Sequence, residues 1–251
     1  MKNKDIKIVD RNEEMNLLKK ENIIFSLISQ EENRRSQRPH PYRLQNDMVI
    51  TYRLVVKVED QSIHSALIDD TLLNTLDLSS YEELHNLAIE NTMRLFPAKV
   101  ISMEQMFMNE SAPSDIDNFH YDDIDKMSPP LYVLSNNIKI NGASTIVYPG
   151  ILEKLAEKFK SNFYILPSSV HEVILIPDEG DIDKSQLSWL VRTVNMEQVS
   201  RNERLSNSAY KYDKDEKSLE KIEEQSTTVN QEFVNHFLYG NEQDPDMDLE
   251  P

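Results

Sequence analysis

The sequence predicts an α+β fold in which two strand-strand-helix units, residues 51–103 and 131–197, form an antiparallel or mixed sheet covered by helices. One observation is that apolar and polar residues alternate in each unit, as in half-buried strands, before the spacing changes to that of a helix. A second is that either unit alone would expose one face of its hairpin and one stripe of its helix. The third is that most of the negative charge lies outside both units. We therefore expect the two units to pack together.

The N-terminal residues 1–40 are predicted to form a helical segment and a linker in front of one α+β domain at residues 41–212. Apolar residues in this segment are spaced for one helix face, but the run Ile23-Ile24-Phe25 equally suits the start of a strand. Prolines at 39 and 41 exclude a helix there, and the arginines at 34, 35 and 38 favour solvent. No aromatic platform accompanies these arginines, so direct nucleic-acid binding is not expected.

The first unit is predicted to contain a strand at 51–58, a turn at 59–62, a return strand ending at 68 and a helix at 81–95. The strand is indicated because Tyr52, Leu54, Val56 and Val58 occupy every second position, as on one face of a half-buried strand. Ser79 or Ser80, with Glu82 or Glu83 three residues later, has the pattern of a capping box, and Pro97 ends the helix.

The second unit is predicted to contain a strand at 131–134, a turn around Asn141-Gly142, a return strand at 143–148 and a helix from about Gly150. The apolar stripe of that helix is expected to be Ile151, Leu152, Leu155, Ala156 and Phe159. Two further strands are expected at 163–166 and 170–176. Asp183 is the expected N-cap of a last helix, and a terminal strand holds Tyr210 and Tyr212.

The net charge of −17 is concentrated in two segments, an acidic loop at 104–126 with net charge −6 and an acidic, mostly disordered tail at 213–251 with net charge −9. Self-repulsion is expected to keep both segments out of the core. The tail contains one apolar island, whose candidate partner-binding residues are Phe233, Phe237 and Leu238. Such an island can fold as a short helix on a protein partner.

Several function classes are excluded by composition. The chain has no cysteine, which excludes a disulfide scaffold, a thiolate zinc site and a cysteine nucleophile, and fits a reducing cytoplasm. Its four glycines are not spaced for a phosphate-binding loop, and its six histidines show no paired metal spacing, so neither a cofactor nor a metal is expected. No apolar run approaches the ~18 residues of a membrane span. The predicted setting is a soluble, cytoplasmic protein without membrane contact.

One stretch, Ser168-Ser169-Val170-His171-Glu172, contains residue types used in nucleophilic catalysis. In an extended strand Ser169 and His171 share a face while Glu172 points the other way, so the three do not form a local relay. A turn whose serines bond to neighbouring backbone is the favoured interpretation. The alternative is a hydrolase site in which this strand end meets Glu90 and Arg94 of the first helix.

Ordered motifs along the chain resemble those of a family of uncharacterised bacterial proteins, which carries a domain-of-unknown-function label. The matching stretches are residues 90–99 (ENTMRLFPAK), 131–136 (LYVLSN), 141–143 (NGA), 148–150 (YPG), 163–173 (FYILPSSVHEV) and 194–195 (VN). The resemblance covers roughly residues 8–213. It implies a bacterial cytoplasmic setting, because the family is common in Clostridia-type Gram-positive bacteria and their mobile elements. It supplies no catalytic residue.

Together these observations favour a non-enzymatic protein-binding or adaptor module, which recognises a protein partner through the exposed face or edge of its sheet. A hydrolase with its site at residues 168–172 is one alternative. An acidic decoy, whose tail inhibits a nucleic-acid-binding protein, is another.

Overall fold

The computed structural model describes residues 18–36, 38–59, 62–108, 112–121, 129–167, 169–180 and 182–223. Within these residues the strands form two sheets with antiparallel pairing throughout, and helices pack against both sheets. The predicted α+β class is confirmed. None of the described helices is long and apolar enough to cross a membrane.

The N-terminal sheet is built around one long central strand. Its elements in chain order are β1 (Ile23–Ser29), α1 (Gln30–Arg35), β2 (Tyr42–Gln45), β3 (Met48–Glu59) and β4 (Ser62–Leu67). Strand β3 pairs with β1 along one side, and with β2 and then β4 along the other. Asn46, with φ 54°, opens the tight turn that joins β2 to β3. Strands β2 and β4 therefore share one edge of the sheet.

The strand β1 corrects the predicted helical segment. Residues 23–29 are extended, so the alternative of a strand beginning at Ile23 is the right one. Ile23 and Ile24 are 0% and 2% exposed, which shows that neighbouring residues on opposite faces of β1 are both buried. A strand buried on both faces loses its period-two signal, and its apolar residues then also fit a helix. Residues 1–17 lie outside the described residues.

Helices α2 (Asp70–Thr75) and α3 (Tyr81–Leu95) follow the N-terminal sheet. The predicted 81–95 helix is confirmed, together with its capping pattern. The Ser80 hydroxyl accepts a hydrogen bond from the amide of Glu83, and the Glu83 carboxylate accepts one from the amide of Ser79 at 2.8 Å. These bonds satisfy donors that a helix N-terminus would otherwise leave free. Leu84 and Ala88, both 0% exposed, bury the inner face of α3.

The second sheet has the strand order β11-β10-β8-β9-β7-β5-β6. Its strands are β5 (Ala98–Ser102), β6 (Ser114–Asp115), β7 (Tyr132–Asn136), β8 (Phe163–Leu166), β9 (Val173–Pro177), β10 (Tyr210–Asp213) and β11 (Ser218–Lys221). The helices of this part are α4 (Met103–Met108), α5 (Ile151–Phe159) and α6 (Lys184–Glu197). Helix α6 covers one face of the sheet, and the other face joins a core shared with the N-terminal sheet.

The return strand predicted at 143–148 is wrong, because Gly142–Val147 is a 3₁₀ helix. Residues 142–146 are all buried, so their apolar run carries no period that separates strand from helix. The Thr145 hydroxyl donates back to the carbonyl of Gly142 at 2.7 Å, and the amide of Ala143 donates to the carbonyl of Val170 at 3.1 Å. The second unit is thus a strand, a 3₁₀ helix and the α5 helix.

The two halves nevertheless share one core. Leu84 of α3 and Leu155 of α5 are both 0% exposed and belong to the same hydrophobic cluster. The stripe expected for α5 is buried, and β8 and α6 lie where the sequence places them. Strand β9 begins at Val173, three residues later than predicted, because residues 169–172 form a turn.

Both predicted acidic segments contain ordered elements. In the loop at 104–126, β6 pairs with β5, and Ile116 and Phe119 are each 5% exposed. In the predicted tail at 213–251, β11 pairs with β10 up to Lys221. The predicted boundary at residue 212 therefore cuts a hairpin. Residues 224–251, which include Phe233, Phe237 and Leu238, lie outside the described residues, as do 109–111 and 122–128.

Candidate functional site

The edges of the N-terminal sheet differ in how their backbone groups are used. Along β1, the amide of Phe25 donates to the Thr92 hydroxyl at 3.0 Å, and the amide of Leu27 donates to the Ser144 hydroxyl at 2.9 Å. Side chains from α3 and from the 3₁₀ helix therefore occupy the β1 edge. Two of the amides that would bind a further strand are already bonded there.

Strand β2 presents an open edge with apolar side chains. Among the described residues its only strand partner is β3, with Gln45 opposite Met48 and Leu44 opposite Val49. Antiparallel pairs alternate between bonded and non-bonded, and the pair flanking a two-residue turn is a bonded one. The backbone groups of Leu44 and Tyr42 therefore point away from β3. Their side chains are 65% and 52% exposed.

The alternate residues of β2 face helix α3. Arg43 forms an ion pair with Glu82 near the start of that helix. Gln45 forms part of the wall of a cavity of about 130 Å³, whose other wall residues are Phe25, Ile50, His85, Ile89 and Val147. The cavity therefore lies on the inner side of the β2 edge, between the sheet, helix α3 and the 3₁₀ helix.

His85 is the titratable residue of this cavity. Its Nδ1 lies 2.9 Å from the hydroxyl of Tyr52, which is 1% exposed. Burial lowers the pKa of His85 and raises the pKa of Tyr52 to about 12, so both side chains are neutral at pH 7. Tyr52 can then donate to Nδ1, which leaves the proton of His85 on Nε2. The described residues give that nitrogen no hydrogen-bond partner, and they give the Gln45 amide none.

A polar cluster holds the end of β2 in place. The carboxylate of Asp47, the second residue of the turn, accepts hydrogen bonds from the hydroxyls of Ser206 and Ser208 and from that of Tyr210. These three donors are 7%, 5% and 0% exposed. Lys221 of β11 adds an ion pair at 3.6 Å. The cluster links the β2–β3 turn to the second sheet and so holds the open edge of β2 in position.

A larger cavity, of about 360 Å³, lies between α5 and the β10–β11 turn. Its charged wall residues are Glu153, Glu157, Lys160, Lys214, Asp215 and Lys217. Three carboxylates and three ammonium groups line it together with Ala156. The wall therefore has neither an excess of one charge for an ionic ligand nor an apolar lining for an uncharged one. The cavity beside β2 is therefore the better candidate site.

The residues predicted as a hydrolase site take part in separate sets of hydrogen bonds. The hydroxyl of Ser169 accepts from the amide of His171 at 3.0 Å, as the turn interpretation expects. His171 Nδ1 accepts from the amide of Asn141, and its Nε2 lies 3.6 Å from Glu203.

Glu90 and Arg94 lie on α3, where Arg94 donates to the carbonyl of Glu21 and to Asn91. No hydrogen bond or ion pair among the described residues joins them to His171 or to Glu172. Ser168 lies outside those residues. The described residues contain no group of three or more metal-ligating side chains.

Residues 3–214 match the model of a protein family described as "Family of unknown function (DUF5688)". The chain belongs to the DUF5688 family. This confirms the expectation of an uncharacterised domain family, and the family description assigns no functional residue to transfer. No curated protein and no solved structure matches the chain.

The open edge and the cavity at β2 are not among the sites predicted from the sequence of this DUF5688 chain. A short alternating stretch, Tyr42 to Gln45, followed by Asn46-Asp47, is a hairpin signal that predicts β2. Nothing local indicates the cavity, because Phe25, His85 and Val147 come from distant parts of the chain.

Proposed function

We propose that this DUF5688 protein is a non-enzymatic adaptor of the bacterial cytoplasm, which binds an extended segment of a partner protein by strand addition to β2. The observation that carries the proposal is the open β2 edge with exposed Tyr42 and Leu44. In strand addition, main-chain hydrogen bonds supply affinity and side-chain contacts supply specificity. The mobile-element setting that the family resemblance implies is compatible with an adaptor role.

The contrast with β1 and β4 of the same sheet supports this choice. Thr92 and Ser144 occupy amides of β1, and on β4 the Arg53 guanidinium bonds to the hydroxyl and the carbonyl of Ser65. Proteins normally protect an exposed edge with charges, prolines or a covering element. An edge strand that instead shows a tyrosine and a leucine is suited to a partner.

Direct nucleic-acid binding is not part of the proposal. Arg35 pairs with Glu31 and Glu32 at 2.9 and 3.0 Å, and Arg43 pairs with Glu82. Arginines with carboxylate partners contribute little to a phosphate-binding surface, because each must first give up its ion pair. A protein partner therefore remains the proposed one.

The test is site-specific photo-crosslinking in the cells from which the gene comes. A photoreactive phenylalanine analogue replaces Tyr42, and a control carries it at Met196 on α6, which is 71% exposed. We expect a discrete protein adduct from position 42 that position 196 does not give. The adduct should disappear in the Leu44→Pro background, because proline removes an outward-facing amide without removing a bond to β3. An adduct that persists with Leu44→Pro, in a chain with wild-type circular dichroism, contradicts strand addition.

A further inference from the structure

We infer that the cavity beside β2 is an anchor pocket for one uncharged aliphatic side chain of the bound segment, at the position directly opposite Gln45. This inference rests on the proposed strand addition and deepens it. It assigns the chemistry of one partner residue and its register on the strand.

The register follows from sheet geometry. Side chains of directly opposed residues in neighbouring strands lie on the same face of the sheet. Gln45 faces α3 and forms part of the cavity wall. A partner residue opposite Gln45 therefore places its side chain on the cavity side. The partner residue opposite Leu44 turns its side chain to the outer face.

The volume of the cavity limits which partner side chains can enter it. Its volume is about 130 Å³, slightly less than the ~150 Å³ of an apolar protein cavity that accepts benzene. A valine, leucine, isoleucine or methionine side chain fits this space. An indole ring exceeds it.

The cavity wall favours an apolar occupant. Phe25 and Ile50 are 2% and 6% exposed, and Ile89 and Val147 complete an aliphatic and aromatic lining. No charged group is part of the wall, and the neutral His85 offers no counter-ion. The nearest charged side chains, Arg43 and Glu82, form an ion pair with each other. A lysine or a glutamate in this space would therefore lose its hydration without gaining a free counter-ion.

The polar wall residues suit the backbone of the bound segment. The Nε2–H of His85 can donate, and the Gln45 amide can both donate and accept. Neither group has a partner among the described residues. Main-chain carbonyl and amide groups beside the anchor residue supply the complementary atoms. Ligand sites generally combine an apolar lining with a few polar groups of this kind.

The experiment is selection of a displayed library of random eight-residue peptides on the purified full-length chain. Recovered peptides are then synthesised and their dissociation constants are measured by fluorescence anisotropy. We expect one aliphatic position to recur. Changing that residue from leucine to alanine should weaken binding roughly 50-fold, because about three buried carbon groups are lost at ~0.8 kcal/mol each.

Two cavity-filling variants, Val147→Phe and Ile89→Phe, test the pocket, and Leu44→Pro tests the edge. We expect either filling variant, if folded by circular dichroism, to weaken binding at least tenfold. The Leu44→Pro chain should not bind. If filling leaves affinity unchanged and no aliphatic position recurs, while Leu44→Pro still abolishes binding, the anchor pocket is refuted and strand addition stands. If peptides bind the Leu44→Pro chain as tightly as the wild type, strand addition itself is refuted.

One further variant tests whether the site is occupied by a partner protein or by the chain's own C-terminal segment. The double substitution Phe233→Asp and Phe237→Asp is made in the full-length chain. Unchanged peptide affinity supports an occupant supplied by a partner. A gain of tenfold or more shows that the chain's own apolar island competes for the site, and it overturns the partner assignment.

Discussion

Replacing Gly142 with alanine tests the close packing of the 3₁₀ helix against the second sheet. A Cβ atom at this position would lie 2.1 Å from Ser135 Oγ, 2.5 Å from the carbonyl oxygen of His171 and 2.7 Å from the amide nitrogen of Asn136. All three distances are far below van der Waals contact. Gly142 does not have a positive φ, so close approach of neighbouring atoms is the reason for glycine here.

The expected cost follows from what has to move. Ser135 can rotate away only by giving up its hydrogen bond to the carbonyl of His171, which measures 2.8 Å and contributes about 1 kcal/mol. The other two atoms belong to the backbone of β7 and of the turn before β9. Overpacking of this kind typically costs about 1–3 kcal/mol. We expect Gly142→Ala to lower the free energy of unfolding by about 2–4 kcal/mol and the Tm by roughly 4–16 °C.

Urea unfolding, followed by the fluorescence of Trp189, the single tryptophan, measures this loss. Gly150→Ala is the matched control. Gly150 has a φ of 78°, but a Cβ there meets no atom within 4 Å, so only the backbone cost of about 1–2 kcal/mol applies.

A loss for Gly142→Ala no greater than that for Gly150→Ala would refute the close packing. That result would instead fit a hairpin turn at Asn141-Gly142. Adding Ser135→Ala to Gly142→Ala should recover only part of the loss, because the two backbone contacts remain.

Three other perturbations test the scaffold around β2. Asp47→Ala removes the acceptor of three nearly buried hydroxyls and should lower the free energy of unfolding by about 2–4 kcal/mol in urea titrations. Asp47→Asn should lower the free energy of unfolding by less. An equal decrease in both variants would show that the acceptor is unimportant. Thr92→Ala should reduce hydrogen-exchange protection of the Phe25 amide, whereas Thr92→Ser should not, because serine keeps the hydroxyl that this amide bonds. Burial lowers the pKa of His85, so as pH falls below about 6.5 the unfolded chain binds the proton first and stability decreases. In His85→Asn the urea midpoint should fall less between pH 7.5 and pH 5.5 than in the wild type, and an identical fall would contradict burial of the ring.

The parts of the fold that the sequence predicted are those with local signals. Helix α3 begins and ends as expected because its capping residues and Pro97 are neighbours in sequence. Strand β8 and helix α6 follow from short apolar patterns bounded by turn residues. Where a segment is buried on all sides, as in β1 and residues 142–146, its apolar run has no polar face, and strand and helix become indistinguishable.

The candidate site was not predictable to the same extent. Ser169 and His171 are residue types used in catalysis that lie close in sequence, but their hydrogen bonds stabilise a turn. His85 has no neighbour in sequence that indicates a role, and its neutral state depends on packing against Tyr52. Arg94, expected at the same site as His171, bonds instead to Glu21 and Asn91.

The sequence by itself determined the α+β class, the capped helix α3 and the apolar stripe of α5, because each depends on residue periodicity and on caps within a few positions. Only the tertiary structure decided which edge is open and where the cavity lies. Those features depend on which side chains from distant segments, such as Thr92 and Ser144, reach the backbone of a strand. The path of the chain between such segments is set by the packing of the shared core.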